Sequence, residues 1–542
     1  MGVRTKLLEK DPKRLTRLVK KLKNKNKTLA RRAIKAEQQV KVITSRARTL
    51  EDELKLLRYK LFGRKSEKYS VEDEKQGRLF NEAEDIQTEV EKESLQKNIK
   101  VTSYVRRKRG RKPLPANLPR EEIIHDIPEE EKVCSCCGSK LVRIGEEVSE
   151  KLEIIPAQIK VIRNIRPKYA CNKCDGCEGE KAVKIASVKP EIMPKSIVTP
   201  GLLAYILVSK YADAIPFYRQ EKQFKRIGVD ISRADLSNWA IKAGKILDPF
   251  VDIFLEEIRS GPVVQMDETR VQVLNEHGRP NTSKSYMWVM RGGPPLKPVI
   301  LYRYHRTRGG EIPIKYLGKY SGILQTDAYE GYNEIGKSPG IIHVGCWAHV
   351  RRKYYEASKP TKKPGSAEIA LGKIARIYSI EKELRSRELS PDEFVERRKI
   401  KVEPILKDFK EWIDKKVMQV PPTTLLGKAV NYTLKQWEKL IRYLESPYLT
   451  PDTNRVENDI RPFVVGRRNW LFSGSPLGAF ASATIYSIVE TAKANGLEPY
   501  SYLKYLFTEL PVIKVEDYKK LMPQYLDPNN AYSGESCHPF RK

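Results

Sequence analysis

Between Leu15 and Leu61, apolar side chains return at alternating steps of four and three residues. The series is Leu15, Val19, Leu22, Asn26, Leu29, Ala33, Ala36, Val40, Ile43, Ala47, Leu50, Leu54, Leu57 and Leu61, and Asn26 alone is polar. Two apolar positions in seven make a stripe too narrow for a globular core and suited to a second helix. Asp11 followed by Pro12 supplies a helix start, and at 1.5 Å per residue the rod would be about 70 Å long. The four-three order puts Asn26 at an a position, where a buried Asn costs stability but favours an in-register pair. The stretch therefore predicts a dimerising coiled coil within residues 1–68. The alternative is one amphipathic helix folded back on the body. Either way the helix is basic and can also lie against phosphates.

A chain of 542 residues should divide into roughly three or four units. Lys and Arg number 102 against 69 Asp and Glu, a formal net charge of +33 that draws polyanions such as nucleic acid. Membrane is the weaker partner. No apolar run reaches the roughly 18 residues needed to span a bilayer, and the N-terminus lacks the apolar stretch of an export signal. A cytoplasmic location is expected. Six of the eight cysteines crowd into two clusters at metal-ligand spacing, unlike a disulfide framework.

Residues 69–118 read as a linker, acidic at first and ending in a basic arm, RRKRGRKPLP. Arg106, Arg107, Lys108, Arg109, Arg111 and Lys112 would enter an A/T-rich minor groove, or serve only as a solvated basic linker. Residues 119–190 carry Cys134-x-x-Cys137 and Cys171-x-x-Cys174 around short alternating segments, the pattern of a small β unit closed on one structural Zn²⁺. Cys136 and Cys177 leave the ligand set open, since Cys174-x-x-Cys177 has the same spacing. Residues 191–258 look helical. Gly228 suits a turn, and Ser232 with Asp235 suits a capping box before a helix with Leu236 and Trp239; a helix-turn-helix and a plain packing unit fit equally.

From Val263 the periodicity changes to two. VVQMDETRVQVL, YMWVM and VILYRY read as three strands in hairpin-like succession. A short helix near Glu311 to Leu317, the strand GILQT ending at Asp327, and IIHVG leading into the helix CWAHVRRKYY follow. Three antiparallel strands, a helix and a parallel strand tipped by Asp is the order of an RNase H-like core, whose first and fourth strands are neighbours. Asp267 and Asp327, 60 positions apart, would then stand side by side at adjacent strand ends. Carboxylates that close raise one another's pKa unless cations intervene. Oxygen-only ligation suits Mg²⁺ or Mn²⁺, and two such ions about 4 Å apart activate an attacking oxygen and stabilise a leaving one in phosphoryl transfer. Taken singly, each Asp also fits an N-cap or a solvated strand end.

The motifs LFGRKSEK, GRKPLP, CSCCG, CNKC, IPFYRQE, QMDETRVQVL, LQTDAYEGY, GCWAHVRRKY and NRVENDIRPFVVGRRNWLFSGS run in order along the chain. On these the sequence resembles the transposases of the IS66 insertion-sequence family. The resemblance implies a DDE transposase in which Asp267, Asp327 and Glu457 hold two Mg²⁺ (or Mn²⁺) ions. Thr453 would cap the helix that turns Glu457 toward the aspartates. The 130 positions between Asp327 and Glu457 exceed the bare fold, so residues 360–448, rich in helical periodicity, become a helical insertion. Cys346-x-x-His349 resembles an element that some DDE groups carry after the second Asp. It is read as a satisfied structural pair, with a metal role as the alternative. Arg455, Arg461, Arg467 and Arg468 would clamp phosphates near Glu457, some of them instead pairing Asp452 and Asp459.

The expected chain is thus multidomain α+β: an N-terminal coiled coil, a small zinc-binding β unit, a helical DNA-binding region and an RNase H-like α/β catalytic core. That core would occupy residues 259–359 and 449–500, interrupted by the insertion, with 501–542 as a C-terminal segment. The implied activity is metal-dependent cleavage at the inverted-repeat ends of an insertion sequence and transfer of the freed 3′-hydroxyl to target DNA. A homodimer or higher oligomer, and small accessory proteins from the same element, are the implied partners. A structure-specific nuclease of the same core and a non-catalytic DNA-binding regulator derived from a transposase are the rivals.

Overall fold

The heptad stretch forms one unbroken helix, α1 (Pro12–Phe62), in a computed structural model that describes residues 12–62, 159–170, 183–187, 189–360 and 365–526. Among the described residues its seam has no partner: Leu22, Leu29, Val40, Ile43, Leu50, Leu54 and Leu57 are each half or more exposed. Leu56, which lies off the seam, is buried, and Glu53 pairs with Lys428 at 2.7 Å.

Two short strands follow, β1 (Lys168–Ala170) and β2 (Val183–Ile185), then α2 (Pro200–Tyr211), α3 (Phe217–Arg226), α4 (Arg233–Ile246) and α5 (Pro249–Ser260). Strands β3 (Val263–Gln272), β4 (Lys284–Gly292) and β5 (Val299–His305) lead to α6 (Glu311–Leu317), β6 (Gly322–Gln325) and β7 (Ile341–Val344). Helices α7 (Trp347–Ser358), α8 (Ser366–Arg385), α9 (Pro391–Gln419), α10 (Leu425–Ile441), α11 (Asn454–Trp470), α12 (Pro476–Ala494) and α13 (Pro499–Glu509) complete the order. The chain divides into two units, Met1–Asn98 with Leu207–Asn495, and Ile99–Ile206 with Gly496–Lys542.

In the second unit β1 and β2 pair antiparallel, Tyr169 opposite Lys184, across the segment that carries the second cysteine cluster. Helix α13 is held by Tyr502, whose hydroxyl donates to the Leu521 carbonyl at 2.9 Å.

The first unit is built on a mixed sheet in the order β5-β4-β3-β6-β7. β3, β4 and β5 run antiparallel, whereas β3–β6 and β6–β7 are parallel. Edge strand β5 is not left open, because α12 lies along it. Ser487 Oγ and Thr491 Oγ1 each exchange two hydrogen bonds with the outward backbone groups of Tyr302 and Ile300. Side chains thereby take the place of a sixth strand. Every residue of α12 from Ala481 to Ala492 is buried, which explains its run of small residues: another helix must approach its backbone. That helix is α4, whose Gly244 faces Ala481 so closely that an added Cβ would stand 2.5 Å from the alanine Cβ.

This contact bears on the region read as a helix-turn-helix. Ser232 caps α4 as expected, accepting the Asp235 N–H at 3.1 Å, and Gly228 makes the turn at φ +82°. Leu236, Trp239, Ala240, Ala243 and Gly244 are all buried, so α4 spends its apolar face on packing, as it would in a helix-turn-helix or in a plain packing unit. Helices α8, α9 and α10 share one core with α7, centred on Trp347, Tyr354, Phe409 and Val430. Within it Arg398 is fully buried, pairs with Glu381 at 2.9 Å, and donates to the carbonyls of Tyr443, Ser446 and Leu449. The segment entering α11 is thus anchored to α9.

Candidate active site

β3 and β6 stay paired as far as Gln265 and Gln325. β3 then continues against β4 to Gln272, so its other edge opens just beyond Gln265 and is closed again only where the Ser473 N–H donates to the Gln272 carbonyl at 3.0 Å. Asp267 and Asp327 each lie two residues past that last pair, and the parallel register carries both to the same level. Asp267 is therefore not at a strand end, as the sequence suggested. It sits in mid-strand, because pairing with β4 keeps the backbone extended after β6 has stopped. Glu457 arrives from the first turn of α11.

Burial, together with the charges of Glu268, Glu457 and Asp327, holds the Asp267 carboxyl well above the usual carboxylate range. The Glu268 N–H, donated to Asp267 Oδ1 at 2.8 Å, works against this. None of the ion pairs among the described residues involves Asp267 or Asp327. A buried anion facing other carboxylates without a cation is unfavourable by itself. Oxygen donors in that condition fit hard divalent ions.

Two amides tie the three segments together. Gln265 Nε2 donates to Gln325 Oε1 at 2.7 Å and toward the Asp452 carbonyl at 3.3 Å, while Gln325 Nε2 donates to the Thr450 carbonyl at 2.8 Å. Neither glutamine was singled out in the sequence. The signal was present, since QMD and QTD repeat the same spacing in two otherwise apolar strands.

Glu268, the other carboxylate of MDET, does different work. It accepts from the Tyr332 hydroxyl and from Arg308, whose guanidinium lies 3.6 Å over the Tyr329 ring. The Tyr329 N–H donates to Asp327 Oδ1 at 2.9 Å. Glu268 therefore pins the turn that presents Asp327. Burial raises its pKa, and Tyr332 and Arg308 oppose that rise.

Around Glu457 two expectations are corrected. Thr453 precedes α11 but caps no N–H with its side chain; its hydroxyl contacts Cys346 Sγ at 3.2 Å and Glu457 Oε1 at 3.3 Å. Asp452 accepts the free Asn454 N–H instead, because a carboxylate one residue earlier reaches it better. Of Cys346 and His349, expected to be a satisfied pair, only the cysteine is satisfied, its Sγ accepting from Thr453. The buried His349 Nδ1 has no hydrogen-bond partner and stands 3.7 Å from Glu457 Oε1. Arg352 Nη2 lies 3.6 Å from the other Glu457 oxygen.

The arginines of α11 spread along the helix. Arg467 donates to Thr269 Oγ1 at 3.1 Å, and Arg455 and Arg468 are exposed. Arg468, eleven residues after Glu457, is about 16 Å along the axis from it. Asp459 is paired by Arg291 of β4, at 2.8 Å to each oxygen, and not by these helix arginines. Arg106, Arg107, Lys108, Arg109, Arg111, Lys112 and the cysteines Cys134, Cys137, Cys171 and Cys174 lie outside the described residues. No helix among those described is long and apolar enough to cross a membrane.

Comparison with known proteins supplies the class. The description "Transposase IS66 family" matches residues 195–481, and "zinc-finger binding domain of transposase IS66" matches 131–175. "Transposase C of IS166 homeodomain" matches 49–123, and "IS66 C-terminal element" matches 487–524. All four describe parts of a transposase. Relatives in Sinorhizobium fredii (strain NBRC 101917 / NGR234) include the uncharacterized protein y4jD, 32% identical over 72% of this chain and 76% of its own. The uncharacterized protein y4qI is 31% identical over 88% of each. The chain belongs to the IS66 transposase family.

Proposed function

We propose that this protein is a DDE transposase that binds the inverted-repeat ends of its own element, cleaves there, and joins the freed 3′-hydroxyl to target DNA. The observation that carries the reading is the meeting of Asp267, Asp327 and Glu457 at the open edge between β3 and β6. The sheet order, three antiparallel strands followed by two parallel ones, is the order expected of an RNase H-like core and supports the reading, with the helices between Asp327 and Glu457 taken as an insertion into it.

Asp267, Asp327 and Glu457 would hold two Mg²⁺ (or Mn²⁺) ions, which supply charge for the attacking and leaving oxygens of phosphoryl transfer. The chain contributes position. Gln265 and Gln325 lock β3, β6 and the approach to α11 into one frame, and Glu268 with Arg308 and Tyr332 fixes the Asp327 turn. Arg467, beside Thr269 on the continuation of β3, is placed to meet a phosphate entering along the open edge. Cys134, Cys137, Cys171 and Cys174 would close one structural Zn²⁺ around the β1–β2 hairpin, and the basic arm would help hold the ends. Two ends must be cut and joined together, which calls for a dimer or higher oligomer.

The test is incubation of purified protein with Mg²⁺, a labelled element-end duplex and a target plasmid, with Asp327→Asn alongside. Joined product from wild type, reduced at least ~1000-fold in the variant, is the expected result. Cleavage without joining would favour a structure-specific nuclease. Equal binding with no metal-dependent product would favour a regulator.

A further inference from the structure

Cys346 and His349 enclose the start of α7, where they meet Glu457 of α11. One donor atom from each lies within 4.8 Å of the other two. Thiol sulfur, imidazole nitrogen and carboxylate oxygen form the mixed set that zinc-like ions accept and that Mg²⁺ does not favour.

The surroundings of the three donors suit a cation. Buried Cys346 Sγ accepts two hydrogen bonds from Thr453, the N–H at 3.4 Å and the hydroxyl at 3.2 Å. Donors aimed at sulfur in this way support a thiolate, as they do around bound metal. His349 Nδ1 adds an independent mark: a buried ring nitrogen without a partner, directed at a carboxylate 3.7 Å away. Leaving such a group unpaired is costly. A cation among the three would pair the nitrogen, neutralise Glu457 and displace the thiol proton to solvent, leaving sulfur as the thiolate its donors suit. Arg352, the guanidinium now 3.6 Å from Glu457, is partly exposed and free to withdraw.

We propose that Cys346, His349 and Glu457 bind one zinc-class ion, distinct from the hard-cation site of Asp267 and Asp327. The proposal touches the catalytic reading only in sharing Glu457, and an ion held here would compete with Mg²⁺ for that carboxylate.

The experiment uses the full chain with its other zinc in place, dialysed to equilibrium against Zn²⁺, with bound metal per chain read by plasma emission. Wild type should hold one equivalent more than Cys346→Ser and one more than His349→Ala, while Asp327→Asn should match wild type. Equal contents in wild type and both ligand variants would overturn the site. Loss of the same equivalent in Asp327→Asn would overturn it too, by placing the ion between the aspartates. His349 is partly exposed, so its variant remains informative if Cys346→Ser unfolds. No DNA is involved, so failure of the strand-transfer assay and failure of this site are separately visible.

Discussion

Asp267 is raised in pKa because folding buries it among other acids, and the sign of that shift fixes a stability prediction. An unfolded Asp titrates near 3.9, so its proton is bound more tightly in the folded chain. In chelator, its contribution is least harmful below about pH 4 and worsens as pH rises from there toward the folded value. Asp267→Asn should therefore melt higher than wild type at pH 7 without metal, by on the order of 1 to 3 kcal/mol, with the gap closing near pH 4. Added Mg²⁺ should narrow it by stabilising wild type alone. Calorimetric scans with and without Mg²⁺ measure both. A variant no more stable than wild type at pH 7 would mean the carboxylate is already neutralised by something in the fold. Residue spacing made both aspartates legible. Gln265 and Gln325 were not, because one amide in an apolar strand has many meanings until its partner strand is known.

Helix α12 is where element packing is least forgiving. Gly244 of α4 rides on the Ala481 backbone, and a methyl there would lie 2.6 Å from the Ala481 Cα. Gly244→Ala should cost about 1 to 3 kcal/mol, read as a lower midpoint in urea at unchanged slope. The same helix carries Glu490, buried beside Lys493 at 2.9 Å, with its pKa pushed up to about 7 mainly by burial. An unfolded Glu titrates near 4.3, so the ionisation penalty grows from about pH 4 and is complete above about pH 7. Glu490→Gln should stabilise the protein at pH 8, by roughly 1 kcal/mol, and do nothing useful at pH 4. Melting curves at the two pH values decide it. The role of α12 in covering the β5 edge could not be read from the sequence, because it depends on Ser487 and Thr491 meeting a strand 185 and 191 residues earlier.

At the scale of the whole molecule the open question is what covers the α1 seam. Leu56 packs inward from the other side of the helix, while Leu54 and Leu57 remain half exposed, so the helix has not folded its stripe onto the body. We propose a second copy of α1 as that partner, since a basic rod with a lone Asn at an a position suits an in-register pair. Leu22→Glu combined with Leu29→Glu should convert a dimer into a monomer in sedimentation velocity. A monomeric wild type would sink this. The segment between Asp327 and Glu457 shows a matching dependence on long-range order. Its helices were legible from periodicity, but the buried Arg398 that ties them to the carbonyls before α11 reads in sequence as one more surface cation.

The sequence by itself determined the local facts: the rod from its heptad, the strands from their alternation, the caps and turns from Ser232 and Gly228, and the acidic residues from their place after apolar runs. These depend on neighbours within a few residues, and short-range periodicity records them. Tertiary structure alone decided that β3 outruns β6, that Gln265 and Gln325 clasp, that Thr453 turns from capping to touch sulfur, and that His349 is left bare beside Glu457. Those outcomes arise from distances between segments 60 to 190 positions apart, where the energy of burial and charge depends on which partners arrive together.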